Sequence, residues 1–251
     1  QSGKRVFHCY DIFPTPKSVK FTFNGDCDLG KGVNIVCANP KVRKFVTCEL
    51  QKRGVEEKPQ GGVKMDLQIK PFDENREAYL LDIDGNTLTA VGASAEGLMN
   101  SMKTLVAAID HNKGLALPNA VINDAPDFNY RGVMLDIARN FTTFENLKRH
   151  INLLAYYKLN RFQFHFTDDE AWRVEIPGLP ELTQVASRRG CTLDEKEYLA
   201  QIFDGNGNPD DLTQSANGYL TRQQMVELLQ YADERGVTLI PEIETPGHAR
   251  A

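Results

Sequence analysis

Apolar and polar positions alternate through the first third of the chain. Val19-Lys20-Phe21-Thr22-Phe23, Val63-Lys64-Met65-Asp66-Leu67-Gln68-Ile69 and Tyr79-Leu80-Leu81-Asp82-Ile83 read as strands. Asp84-Gly85-Asn86 predicts a tight turn into Thr87-Leu88-Thr89-Ala90-Val91, a hairpin signal. The period changes after Ser94. Leu98, Met102, Leu105, Val106 and Ile109 recur at helical spacing, Ser94 caps the helix, and His111-Asn112-Lys113-Gly114 stops it. Strands followed by one helix predict a small α+β domain over residues 1–124, with the Met side chains in its core.

Asn123-Asp124-Ala125-Pro126-Asp127 is polar and carries a proline, as linkers do, so a second domain is expected over residues 125–251. There the style differs. Val133-Met134-Leu135 is a continuous apolar run, typical of a strand buried on both faces. Thr143 caps a helix through Tyr157 whose stripe is Leu147, Ile151 and Leu154. Phe162, Phe164 and Phe166 then alternate with Gln163 and His165. Thr221 caps another helix, with Met225, Leu228, Leu229 and Ala232 as its stripe, before the strand from Val237 to Ile243. Between 168 and 218 lies a long loop holding Pro177-Gly178-Leu179-Pro180 and Asp204-Gly205-Asn206-Gly207-Asn208-Pro209. A loop of that length is functional or contains small local elements.

The order strand-helix-strand-helix-strand opens either a (β/α)8 barrel or a Rossmann-like sheet. No G-x-G-x-x-G follows the first strand, which argues against a dinucleotide site. Polar groups follow every strand: Asp136 and Arg139, then Asp168 to Glu170, then Glu244 and His248. A barrel uses the tops of many strands in this way. The expected fold class is therefore α/β, a (β/α)8 TIM barrel of which three or so strands are present, behind a small α+β domain. Eight units take roughly 250 residues, and the segment offers about half of that. The remainder of the barrel, or another chain, is expected to cover the open edge.

Composition narrows the partners. The 251 residues carry a net charge of -5, which gives no electrostatic case for nucleic acid. No apolar run approaches the roughly 20 residues of a membrane span. Cys9, Cys27, Cys37, Cys48 and Cys191 are odd in number and form no C-x-x-C, so free thiols in strands or loops are expected rather than a zinc cage. The start, Gln1-Ser2-Gly3-Lys4, reads as a processed or trimmed end and leaves export open.

Strand parity puts Gln163 and His165 on one face, toward the barrel lumen, and the three Phe toward the helices. Asp168 and Asp169 then sit at the rim. Acids so close repel, and burial would raise at least one pKa, unless the pair is solvated or neutralised by Arg173. Glu244 and His248 are near enough in sequence for one loop to join them; a carboxylate that holds an imidazole fixes its tautomer. A surface histidine is the plainer reading. Arg131 opens the first strand and offers a planar fork to sugar hydroxyls or a carboxylate. Against it stand a boundary salt bridge to Asp124 or Asp127 and its place at the bottom of the strand. Trp172 suits sugar stacking or simple packing. His165, Asp168, Asp169 and His248 are also ligand types for zinc.

Four motifs resemble the family 20 glycoside hydrolases, the β-N-acetylhexosaminidases. They are Tyr130-Arg131-Gly132-Val133-Met134-Leu135-Asp136-Ile137-Ala138-Arg139; His165-Phe166-Thr167-Asp168-Asp169-Glu170-Ala171-Trp172-Arg173; Leu182-Thr183-Gln184-Val185-Ala186-Ser187; and Ile240-Pro241-Glu242-Ile243-Glu244-Thr245-Pro246-Gly247-His248. The first domain, with Ala95-Glu96-Gly97-Leu98, resembles the family's N-terminal domain. The resemblance implies retaining exo-hydrolysis of terminal β-linked GlcNAc or GalNAc, in which the 2-acetamido oxygen attacks C1 to give an oxazolinium intermediate. It implies no metal and no cofactor. Arg131 resembles the arginine that binds sugar hydroxyls, with Asp168 and His165 beside it. Asp169, or Asp168, resembles the second-strand acid. Glu244 and His248 resemble the pair that supports the acid-base Glu. That Glu, with its neighbouring Asp, follows the family's fourth strand in a Gly-Gly-Asp-Glu context that this sequence lacks; Asp168-Asp169-Glu170 is not that pair. The 251 residues alone are therefore expected to be inactive. A non-catalytic sugar-binding protein on the same scaffold is the alternative. The resemblance places the protein in the periplasm or outside the cell, where such glycans lie.

Overall fold

The computed structural model describes residues 12–112, 114–188 and 217–249. It divides into two compact units. One comprises the described residues up to 129 with 155–158 and 234–236; the other comprises the described residues of 130–154, 159–233 and 237–249.

The first unit is built on β1 (Ser18–Asp28), β2 (Val33–Cys37), β3 (Val63–Ile69), β4 (Tyr79–Asp84), β5 (Thr87–Gly92) and β6 (Ala116–Asp124). They form one six-stranded sheet in the order β1-β6-β4-β5-β3-β2. The expected hairpin is β4–β5, closed by Asp84 opposite Thr87, and Gly85 takes the positive φ of 55° that the turn needs. Two helices accompany the sheet where the strand reading expected one: α1 (Pro40–Lys52) and α2 (Ala95–Asn112). The physical reason for α1 is plain. Asn39 caps it by accepting from the Val42 N–H, Pro40 sits in its first turn, and Val42, Phe45, Val46 and Leu50 bury one face. Ser94 caps α2 as expected, its Oγ accepting from the Glu96 N–H at 3.1 Å. Gly97 lets α2 close in, since a Cβ there would lie 2.3 Å from the Ala78 carbonyl. Met65, Leu81, Leu88, Leu98, Met102 and Leu105 share the core; burying each side chain contributes roughly 1.5–3 kcal/mol. Among the described residues Cys27, Cys37 and Cys48 are free thiols. Cys37 is at the end of β2, whereas Cys48 lies in α1. Cys9, Cys191 and the turn-rich 204–209 segment lie outside the described residues.

The second unit carries β7 (Gly132–Asp136), α3 (Phe144–Tyr156), β8 (Arg161–His165), β9 (Thr167–Asp168), β10 (Ala171–Trp172), α4 (Glu181–Gln184), α5 (Arg222–Asp233) and β11 (Thr238–Glu242). The sheet β11-β8-β7 is parallel throughout, with α3 and α5 as the intervening helices. Leu147, Ile151, Leu154 and Leu228 are buried, as are Phe162, Phe164 and Phe166. Two expectations fail here. Val133 and Met134 are exposed, because β7 has a strand neighbour on one side only among the described residues. Leu229 is also exposed, so the buried face of α5 is narrower than its stripe suggested.

The long loop after β8 holds small elements: the β9–β10 pair, α4 and two isolated bridges, Val174 to Leu220 and Arg188 to Asn217. At its centre Arg173 is fully buried. Its guanidinium donates to the carbonyls of Ile137 (3.0 Å), Ala138 (2.8 Å), Ser187 (2.7 Å) and Gly218 (3.1 Å) and lies over the Phe141 ring. Arg173 thus ties the loop after β7 to both ends of the long loop, and it is not the cation beside Asp168.

Candidate active site

Parallel register decides what meets at the carboxyl edge. Asp136 of β7, His165 of β8 and Glu242 of β11 are neighbours in one row, and adjacent strands stand about 4.8 Å apart. Side chains in one row share a face, so two acids flank one imidazole.

His165 is buried and faces acids from both sides. Its Nε2 lies 2.8 Å from Asp168 Oδ2, and its Nδ1 lies 3.1 Å from Glu242 Oε1 and 3.9 Å from Glu244 Oε1. Burial works against a charge on the ring, but Glu242, Asp168 and Asp136 outweigh it and hold the His165 pKa above the ordinary value. Gln163, on the same face of β8, donates to the other Glu242 oxygen at 2.6 Å. That hydrogen bond leads the causes that lower the Glu242 pKa.

Arg139 supplies the positive charge. Its fork reaches Asp136 Oδ2 (2.8 Å), Asp168 Oδ2 (2.6 Å) and Glu170 Oε2 (3.1 Å), and Nη1 is 3.2 Å from His165 Nε2. The loop that carries it is set by Asp136 Oδ1, which accepts from the Ala138 and Arg139 backbone N–H groups.

Asp168 is the hub of the cluster. It is buried, and it accepts from the Asp169 N–H at 2.7 Å. Desolvation pushes its pKa up. The Asp169 N–H, His165, Arg139 and His248 push it down and prevail. The expectation that crowding with Asp169 raises an acid here is therefore wrong for Asp168. Asp169 is half-buried beside it.

His248 reaches Asp168 from the loop after β11, Nδ1 to Oδ1, at 3.1 Å. Its backbone takes a φ of 56°, in the left-handed region that histidine tolerates better than branched residues. Glu244 is not its carboxylate. The Glu244 N–H instead bonds Thr167 Oγ1 at 3.0 Å, pinning this loop to β9, and its side chain turns toward His165.

The structure thus gathers Asp168, Asp169, His165, Glu244 and His248, and leaves Arg131 out. Arg131 precedes β7 at the opposite end of the strand from Asp136, where its backbone pairs with Asn160. A strand residue rises about 3.3 Å, so five steps separate Arg131 from Asp136 by roughly 16 Å. Arg139, rather than Arg131, is the arginine that meets the acids of this cluster. Trp172 donates its indole N–H to the Val174 carbonyl at 2.6 Å, which is local packing. Two triads offer ligand atoms within 4.8 Å of one another: His165, Glu242 and Glu244, and Asp168, Asp169 and His248. The donor types suit a divalent ion, yet the Arg139 guanidinium already neutralises Asp168. Two carboxylates of the cluster, Asp168 and Glu242, are held ionised. As ionised groups they can accept hydrogen bonds but have no proton to donate.

Three parallel strands with a polar cluster at their carboxyl edge are the arrangement of a partial α/β barrel, the class of protein whose chemistry gathers on that face. Two family profiles match it: "Glycosyl hydrolase family 20, domain 2" over residues 9–125 and "Glycosyl hydrolase family 20, catalytic domain" over 128–251. The β-hexosaminidase of Vibrio furnissii is 42% identical over 194 residues, covering 76% of this chain and 30% of that protein. The N,N'-diacetylchitobiase of Vibrio harveyi is 32% identical over 96% of this chain and 27% of its own length. The crystal structure of a Vibrio harveyi family 20 exo β-N-acetylglucosaminidase in complex with N-acetylglucosamine superimposes with a TM-score of 0.77 at 31% identity, over 98% of this chain and 38% of that one. The chain belongs to glycosyl hydrolase family 20. It spans about a third or less of the length of these curated relatives. No described helix is long and apolar enough to cross a membrane.

Proposed function

We propose that this chain forms part of a β-N-acetylhexosaminidase that removes terminal β-linked GlcNAc or GalNAc with retention of configuration. The observation that supports this most is the Arg139–Asp168–His248 cluster at the carboxyl edge of the parallel sheet. Arg139 and His248 offer N–H groups, and Asp168 and Asp169 offer carboxyl oxygens, to the hydroxyls of a terminal sugar. The cluster's role is to bind and orient. In the family scheme the 2-acetamido oxygen attacks C1, and an Asp-Glu pair after the fourth strand orients the acetamide and moves the proton; three parallel strands are found among the described residues. Exported or extracellular glycans are the natural substrates of such chemistry, so we read the setting as periplasmic or secreted.

Purified full-length gene product with p-nitrophenyl β-N-acetylglucosaminide tests the reading. Turnover with a bell-shaped pH profile is the expected result. Sugar binding without turnover would make the protein a lectin-like member of the fold, and neither binding nor turnover would overturn the reading.

A further inference from the structure

The strands place a carboxylate on each side of one buried imidazole, and only one of the two belongs to the sugar-binding cluster. Glu242 stands behind His165, away from Asp168. It is fixed in turn by Gln163, which bonds its second oxygen at 2.6 Å. The three groups come from two adjacent strands in strict register, so the arrangement is part of the sheet itself. We propose that Glu242 is a positioning residue: acting through His165, it holds the imidazole doubly protonated and aimed at Asp168, and so fixes the carboxylate that receives the sugar. This rests on the hexosaminidase reading above.

The chemistry follows from what each ring nitrogen faces. Nδ1 meets Glu242 at 3.1 Å and Nε2 meets Asp168 at 2.8 Å. Each carboxylate is an acceptor, so each ring nitrogen is satisfied only as a donor. A neutral ring would turn a lone pair on one of the two acids. The Arg139 nitrogen 3.2 Å from Nε2 is farther away than the Asp168 oxygen, and its guanidinium is engaged by Asp136 and Asp168. The groups facing the ring are Asp136 from β7, Arg139 from the following loop, Asp168 from β9, and Glu242 and Glu244 from β11 and its loop. His248 meets the other oxygen of Asp168. Without Glu242, a ring that loses its Nε2 proton presents a lone pair to Asp168 and pushes that carboxylate off its position. With Glu242 in place, the ring keeps both protons to higher pH.

The test compares full-length wild type with Glu242→Gln and reads two quantities. The first is kcat/KM for p-nitrophenyl β-N-acetylglucosaminide across pH. The alkaline limb of the variant is expected to move about one unit downward, so its loss at the alkaline end exceeds its loss at the acid end about tenfold. The second is the ring ¹⁵N shift of His165 in histidine-labelled protein. Wild type is expected to show a doubly protonated ring at neutral pH, and Glu242→Gln a ring that titrates there. A uniform loss at every pH, or an unmoved alkaline limb, would overturn the proposal. So would a neutral His165 ring in the wild type, which needs no folded variant to observe. A wild type without turnover would instead sink the hexosaminidase reading and leave the ¹⁵N result to judge the imidazole.

Discussion

Replacing Arg173 with Met tests how the site's loops are held. The side chain has no exposure, and four backbone carbonyls converge on its guanidinium at 2.7–3.1 Å. Met fills much of the volume, so the cavity cost is small; the main loss is polar. Each buried carbonyl left without a donor costs about 1–3 kcal/mol. Taking the lower end for four carbonyls, because each has a second lone pair, gives about 4 kcal/mol. For a chain of this size about 1 kcal/mol moves the melting temperature by roughly 2–4 °C, so a drop of roughly 8–16 °C is expected. Arg173→Lys keeps the charge but not the planar fork, and should recover about half of the loss. Thermal unfolding followed by circular dichroism reads the effect. A shift below about 2 °C for Arg173→Met would refute the reasoning: the loops after β7 and β10 would then be held by something other than this side chain.

Arg139→Lys should keep the fold but lose the simultaneous grip on Asp136, Asp168 and Glu170, lowering kcat/KM roughly 100-fold; steady-state kinetics of the full-length protein decides. The pH dependence of stability has two limbs. Asp168 is depressed, so its contribution is present above about pH 3.9 and is lost as pH falls through its lower folded value, whereas the raised His165 contributes below about pH 6.5 and loses this as pH rises through its folded value. Denaturant melts across that range should lose the acid limb in Asp168→Asn and the alkaline limb in His165→Gln. Arg131→Ala should leave the affinity for N-acetylglucosamine within about twofold, measured by calorimetry, because about 16 Å of strand separates it from the cluster.

Much of the fold was legible because period and caps agree. Ser94 and the stripe from Leu98 mark α2, and the three Phe mark β8. Asn39-Pro40 and the Val42, Phe45, Val46 and Leu50 spacing announce α1, but the alternating strands on either side of it dominate the local pattern. At the site, strand parity gave His165 correctly. It did not give the pairing of His248 with Asp168, which joins residues 80 positions apart and depends on the loop after β11 folding back over β9. Arg139 sat in a quoted motif, beyond the carboxyl end of β7, where barrels keep their chemistry. Arg131, at the amino end, stands apart from the cluster. In the sequence Glu242 is a strand residue like its neighbours, and its place beside His165 emerges with the register.

The measurement that bears most directly on the account is a crystal structure of the full-length protein with N-acetylglucosamine bound. The account predicts sugar hydroxyls within about 3.2 Å of both the Arg139 guanidinium and the Asp168 carboxylate. A sugar seated elsewhere, with Asp168 still closed off by Arg139, His165 and His248, would contradict it.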